Sequence, residues 1–256
     1  MELMQFSANL GFLWNERPLA EAIRAAAAAG FDAVECHWPY DNPVSDVAAA
    51  LSETGLKMLG LNTRRGDVAG GENGLAALVG REVEARAAID EALAYAAQIG
   101  TKNIHVMAGF ASGQAAHDTF VANLTYACAQ AAPQGVTILI EPLNGYDAKG
   151  YFLNSTDQAV KIITEVGAPN LKMMFDCYHV QLLEGDLSHR IQNLMSHIGH
   201  IQFASTPDRG TPDHGEVNYS YIFDLIAQTG WTTPLGAEYK VQGDTDATLG
   251  WLKVMR

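Results

Sequence analysis

Six times along this chain an alanine-rich or apolar stretch of helical character closes on a glycine, and a short apolar run follows at once. Gly30 precedes FDAVEC, Gly55 precedes LKMLGLN, Gly100 precedes TKNIHVMA, Gly135 precedes VTILIE, Gly167 precedes APNLKMMFD and Gly230 precedes WTTPLGAEY. Glycine just past a helix end accepts the left-handed conformation that closes the last turn. The repetition therefore predicts αβ units rather than scattered loops. QFSANLG and HIGHIQFA supply the remaining strands and bring the number to eight. Helices are predicted over 17–29, 44–54, 80–99, 114–132, 155–166, 186–196, 218–229 and 245–254. Pro18 suits a first helical turn, and Ser155 or Thr156 suits an N-cap.

Eight alternating units in 256 residues is the arithmetic of an α/β fold of one kind, a single (β/α)8 TIM barrel with residues 1–256 as one domain. An open doubly wound sheet is the competing fold. It would place a glycine-rich phosphate turn after the first strand, where ANLGFLWNE offers only Gly11, and no Walker sequence occurs elsewhere. The segment 63–80, TRRGDVAGGENGLAALVG, follows the third strand and is rich in glycine and charge, so it is expected to be a mobile loop.

The formal net charge is −13, with 16 Lys and Arg against 29 Asp and Glu. That balance repels phosphate backbones and anionic lipid and disfavours nucleic-acid and membrane-surface partners. MELMQFSANLGF lacks the basic start and long apolar run of a secretory signal, and no segment approaches the roughly 20 apolar residues of a spanning helix. Cys36, Cys128 and Cys177 cannot all pair and none lies in a CxxC, which predicts reduced, buried thiols in a cytoplasmic protein. A homo-oligomer is compatible with the sequence.

Catalysis on a TIM barrel belongs to the C-terminal strand ends. Four consecutive strands end there on a polar residue: Glu141 in VTILIEPLN, Asp176 in LKMMFDCYH, Gln202 in IGHIQFA and Glu238 in PLGAEY. Three carboxylates and an amide oxygen form a hard, all-oxygen set suited to Mg2+ or Mn2+, with two glutamates available for proton transfer. Zinc would more often recruit His or Cys. Each residue taken alone is more often a loop anchor or a cap; four at matched positions on adjacent strands point to a metal site. His179, three residues after Asp176, reads either as a structural hydrogen-bonder or as a substrate contact. Arg209, in the loop after the seventh strand, could reach over the site and bind an anionic substrate, with Arg64, Arg65 and Lys240 as further candidates. Glu35 is a fifth acid on the same face with no assigned role. His105 is open, and His197 and His200 read as structural residues at the opposite end of the barrel. Phe12 and Trp14 either wall a pocket or pack.

In combination, ILIEPLN, MMFDCYHVQ, HIQFA, DRGTPDHGEVNY and GAEYK resemble the hydroxypyruvate isomerase family, which belongs to the xylose isomerase-like barrels beside the 2-oxo-tetronate isomerases and ketose 3-epimerases. The resemblance runs from FSANLGFLW through GDVAGGENG to the terminal LGWL. It implies a divalent metal held by Glu141, Asp176, Gln202 and Glu238, with Glu141 and Glu238 as the acid/base pair and His179 and Arg209 as substrate contacts. It implies a small-molecule substrate and aldose–ketose type isomerisation, first of all hydroxypyruvate to tartronate semialdehyde. 2-Oxo-tetronate isomerisation, ketose 3-epimerisation and a binding barrel without turnover are the alternatives. Two loops depart from the family pattern. NTRRGD is more polar than expected before the GD, and YKVQGD lacks the proline expected after the lysine. Both departures bear on the substrate rather than on the ligands.

Overall fold

The computed structural model describes residues 4–255. Its strands are β1 Phe6–Asn9, β2 Ala33–Glu35, β3 Gly60–Asn62, β4 Asn103–His105, β5 Thr137–Ile140, β6 Leu171–Asp176, β7 Ile198–Phe203 and β8 Leu235–Ala237. Every neighbouring pair is parallel, and the sheet runs β2-β1-β8-β7-β6-β5-β4-β3. Its two outer strands meet. Val34 N donates to Lys57 O, Leu59 N to Val34 O, Cys36 N to Gly60 O and Asn62 N to His37 O, at 2.7–3.1 Å. These bonds close the sheet into the expected (β/α)8 barrel.

The helices are α1 Leu19–Ala29, α2 Val44–Thr54, α3 Glu82–Ile99, α4 Gly113–Ala131, α5 Thr156–Val166, α6 Cys177–Leu183, α7 Leu187–Leu194, α8 Tyr219–Gln228 and α9 Gly250–Val254. All six glycines of the sequence repeat have positive φ, between 62° and 93°. Gly30, for example, closes α1 by donating to Ala26 O and Ala27 O. Ser155 caps α5, its hydroxyl accepting from Gln158 N. No helix among the described residues is long and apolar enough to cross a membrane. The three cysteines are buried and free.

Two elements differ from expectation. α6 lies directly after β6, where the sequence predicts no helix. Its seven residues, CYHVQLL, are too few to display a helical period, and its cap is the side chain of Asp176, which accepts from Tyr178 N. The expected helix 245–254 is a 3-10 turn, Asp246–Thr248, followed by the short α9. The segment after β3 is only partly free. Leu75, Ala76 and Ala77 are buried, and Ala76 N and Ala77 N bond to Met107 O and Ala108 O, so the longest exposed run is 66–71.

Alternation along each strand separates two populations of side chains. On the outer face Phe6, Phe203, Phe223 and Trp251 form a fully buried aromatic cluster, with ring centroids 4.9–5.6 Å apart. On the inner face Leu139, Met174, His105 and His200 surround a residual space of about 20 Å3 beneath the strand ends. Since Phe203 points outward, its neighbour Gln202 points inward. Likewise Leu139 inside the barrel places Glu141 inside, and Met174 places Asp176.

Candidate active site and metal centre

The backbone register sets the level of the site. Asp176 pairs with Gln202, Gln202 with Gly236, and Glu238 N donates to Phe203 O. On the other side of β8, Ala237 pairs with Ala8 and Asn9 pairs with Glu35. Strand ends from β1, β2, β5, β6, β7 and β8 therefore deliver their last inward side chains to one layer.

Glu141, Asp176 and Glu238 converge there with His179; each is buried, and one ligand atom of each lies within 4.8 Å of the others. Glu238 Oε1 accepts from Asn9 Nδ2 at 2.8 Å, faces His37 Nε2 at 3.0 Å and accepts from Gln202 Nε2 at 3.3 Å. Glu238 Oε2 accepts from Arg209 Nη2. Asp176 uses Oδ1 to cap α6 and turns Oδ2 into the site. Gln202 Nε2 also donates to Glu35 Oε1 at 2.6 Å, which leaves its Oε1 facing inward.

Glu141 Oε1, Asp176 Oδ2 and Gln202 Oε1 are all buried without a hydrogen-bond partner among the described residues. A buried acceptor left unpaired is costly, and three in one layer call for a common partner. The charge balance makes the same demand. Arg209 is the cation set among the three carboxylates, 3.6 Å from Asp176 and bonded to Glu238. Burial, then the charges of Glu238 and Asp176, raise the Glu141 carboxyl well above the ordinary range. Asp176 is likewise pushed up, by burial first and Glu238 second, to about 8. Burial also opposes ionisation of Glu238, but Arg209, His37 and His179 outweigh it and hold this group low. The donor set, all oxygen with excess negative charge, fits a hard divalent cation.

His179 does not belong with the oxygens as a ligand. Asn144 N donates to its Nδ1 at 3.1 Å, so Nδ1 carries no proton. Burial and the nearby Arg209 lower its pKa to about 3, leaving a neutral ring with its proton on Nε2, the atom 3.7 Å from Asp176 Oδ2. That nitrogen is a donor aimed into the site. His105 is also neutral, lowered to about 3 by burial, and its Nδ1 lies 3.5 Å from Glu141 Oε2.

The basic candidates separate. Arg209 is 8% exposed, stacked between Phe12 and Tyr178 at 4.7 and 4.9 Å, and held in the left-handed region at φ 56°. Arg64 pairs with Glu91 at 2.7 Å and Lys240 with Asp147 at 3.6 Å. Arg65 lies 3.9 Å over the Trp38 ring and has no carboxylate partner among the described residues. Trp14 packs, bonding Asp246 through Nε1, whereas Phe12 borders the site.

Three polar residues escaped the sequence reading or were misplaced by it. His37 and Asn9, both on Glu238, were not singled out. His37 follows Glu35 by two, and Asn9 is the last residue of β1, so period-two alternation pointed to both. His37 also lines a cavity of about 240 Å3 with Asn15, Trp38 and Asn42, and it packs so closely on Gly11 that a Cβ there would lie 2.2 Å from its Nδ1. His200 does not sit at the far end of the barrel. It is the third residue of β7, and its Nε2 lies 2.6 Å from Glu35 Oε2 inside the barrel. His197 remains remote, near Ser196.

Residues 23–255 match the family described as xylose isomerase-like TIM barrel. A 2-oxo-tetronate isomerase from Cupriavidus necator is 46% identical over 97% of both chains. The hydroxypyruvate isomerase of Escherichia coli is 39% identical over 99% of this chain and all of that one. Among solved structures, an AP endonuclease, family 2, from Brucella melitensis superposes with a TM-score of 0.95 at 39% identity, covering 99% of this chain and 100% of that one. A D-psicose 3-epimerase from Clostridium cellulolyticum reaches 0.80 at 18% identity, over 99% of this chain and 90% of that one, a likeness of fold. The chain belongs to the xylose isomerase-like TIM barrel family and, within it, stands with the isomerases named for hydroxypyruvate and 2-oxo-tetronate.

Proposed function

We propose that the protein isomerises a small 2-oxo acid with a hydroxyl beside the carbonyl, hydroxypyruvate to tartronate semialdehyde before others, by proton transfer between Glu141 and Glu238 at a divalent metal site. The observation that carries this reading is the trio of unpartnered oxygens of Glu141, Asp176 and Gln202 in one layer with Glu238. These four residues would hold Mg2+ or Mn2+, and the cation would supply Lewis-acid polarisation of the substrate's carbonyl and hydroxyl oxygens.

The chain's own groups do the rest. One glutamate takes the proton from the hydroxyl-bearing carbon, the other returns a proton to the former carbonyl carbon, and the hydroxyl proton moves between the two oxygens. Glu141 and Glu238 are biased in opposite senses, one toward holding a proton and one toward ionisation, which suits a donor and an acceptor. His179 Nε2–H and the Arg209 guanidinium would hydrogen-bond the oxygen on which negative charge develops. Arg65, without a carboxylate partner among the described residues, is the candidate for the substrate's own carboxylate. An endonuclease reading would need zinc-binding histidines and a basic face. Here His179 turns a protonated nitrogen to the cluster and the net charge is −13.

The test is the Mn2+-loaded protein incubated with hydroxypyruvate, 2-oxo-tetronates and neutral ketoses, products read by NMR. Acids are expected to turn over with the higher kcat/KM. Faster epimerisation of a neutral ketose would replace this reading with that of a ketose 3-epimerase, and no turnover at all would leave a binding barrel.

A further inference from the structure

A glutamine at a metal site has an ambiguity that a carboxylate lacks. Its oxygen can ligate and its nitrogen cannot, yet the two ends have nearly the same shape. Something must decide which end faces the cation. Gln202 has Glu238 on one side, and the partner on its other side is Glu35, the last residue of β2 and 3% exposed. Glu35 Oε1 accepts from Gln202 Nε2 at 2.6 Å and from Asn9 Nδ2 at 3.0 Å, while Oε2 meets His200 Nε2 at 2.6 Å. A carboxylate accepts only, so the NH2 end of Gln202 must face it. The carbonyl end is thereby turned to the layer where Glu141 Oε1 and Asp176 Oδ2 also lack partners among the described residues. The approach depends on Gly236 in β8, where a Cβ would lie 2.6 and 2.7 Å from the two Glu35 oxygens and 2.8 Å from Gln202 Cγ.

We infer that Glu35 is a positioning residue of the metal centre: held by His200 and Asn9 in the space that Gly236 leaves open, it orients the Gln202 amide so that Oε1 is the ligating atom. Asn9 extends the same lattice to Glu238, since Nδ2 donates to both glutamates. Partners that orient ligands in this way typically contribute about 10–100-fold to metal affinity. The inference rests on the metal reading proposed above.

The test is Mn2+ affinity, read by calorimetry and by loss of the free-ion EPR signal, in Glu35→Leu and Glu35→Gln, each also made with Gln202→Glu. Glu35→Leu removes the 2.6 Å acceptor and leaves Gln202 Nε2 only the longer contact to Glu238 Oε1, 3.3 Å, so it is expected to weaken Mn2+ binding by about 10–100-fold. Glu35→Gln keeps one carbonyl for Nε2 and is expected to restore most of it. A glutamate at 202 presents oxygen at both ends, so in that background Glu35→Leu should no longer matter. A merely structural Glu35 would lower the melting temperature in both backgrounds and leave Mn2+ affinity alike. Wild-type affinity in Glu35→Leu, or an equal loss in the Gln202→Glu background, overturns the inference and spares the metal reading. If the wild type itself takes up no Mn2+, both fall. Should Glu35→Leu not fold, Glu35→Asp, which withdraws the acceptor by one methylene, carries the same comparison, and undiminished affinity there counts equally against the inference.

Discussion

Gln202 and Phe203 are adjacent in β7, yet they face two regions built on opposite principles. Phe203 enters an outer shell of Phe6, Phe223 and Trp251, with aromatic edges packed on faces and one polar atom, Trp251 Nε1, which donates to Tyr239 Oη at 3.3 Å. Gln202 enters an inner layer of four carboxylates, Glu35, Glu141, Asp176 and Glu238, with histidines and the Arg209 guanidinium among them, where acceptors remain unpaired among the described residues. The outer face removes apolar area from water and supports the fold, whereas the inner face is electrostatically unfinished. The difference teaches that one strand end can serve stability and chemistry at once, because alternation keeps the two on separate faces.

The largest effect that could break this separation is at Glu238. Glu238→Gln should reduce kcat by at least about 10²–10⁴-fold, the range of a positioned acid/base group, and leave the fold intact. Full activity in that variant would remove the glutamate pair from the account. Phe203→Ala is the counterpart on the outer face. It should lower unfolding free energy by about 3–5 kcal/mol in denaturant titrations, with Mn2+ affinity of the folded protein unchanged. A large loss of affinity there would mean the two faces are not separable.

A third expectation concerns pH. Glu141 and Asp176 have raised pKa values in the metal-free protein, so near neutrality they hold protons that a cation must displace. Mn2+ uptake should therefore release protons and strengthen as pH rises toward about 8, the value for Asp176. The linked stability has the matching sign. A raised acid favours the folded state at low pH, and its contribution is lost as pH rises through the folded value, so the metal-free protein should weaken over that window. Calorimetry in buffers of different ionisation enthalpy measures the protons. Uptake without release would contradict the inner layer's assigned protonation. The smallest effect is at Arg65. Arg65→Ala should raise KM for acids by up to about tenfold, roughly 1.4 kcal/mol, with kcat and neutral ketoses unaffected.

The barrel was legible because its signal repeats: each of six glycines sits where a helix must turn left-handed before a strand. The four strand-end residues were legible for a related reason, since each interrupts an apolar run. What supports them was harder to read. His200 lies in mid-strand, and only the run of pairings from β2 through β1 and β8 to β7 brings Glu35 to it. His37 sits past the last residue of its strand, where no apolar run marks it. α6 is too short to show a period, and its start is specified by Asp176, whose other carboxylate oxygen faces the inner layer. The competition among cations was invisible for the same reason. Arg64, Lys240 and Arg209 are taken up by carboxylates distant in sequence, and only the folded chain leaves Arg65 without one among the described residues.

The central claim is that two glutamates move a proton through solvent-exchangeable carboxyl groups at this inner layer. Its most direct test is the Mn2+-loaded protein turning over hydroxypyruvate in deuterated water, with the product read by NMR against an enzyme-free exchange control. Proton transfer between Glu141 and Glu238 predicts deuterium at the former carbonyl carbon of the product. Product that forms at full rate with protium retained there would contradict it and leave a hydride shift between the carbons.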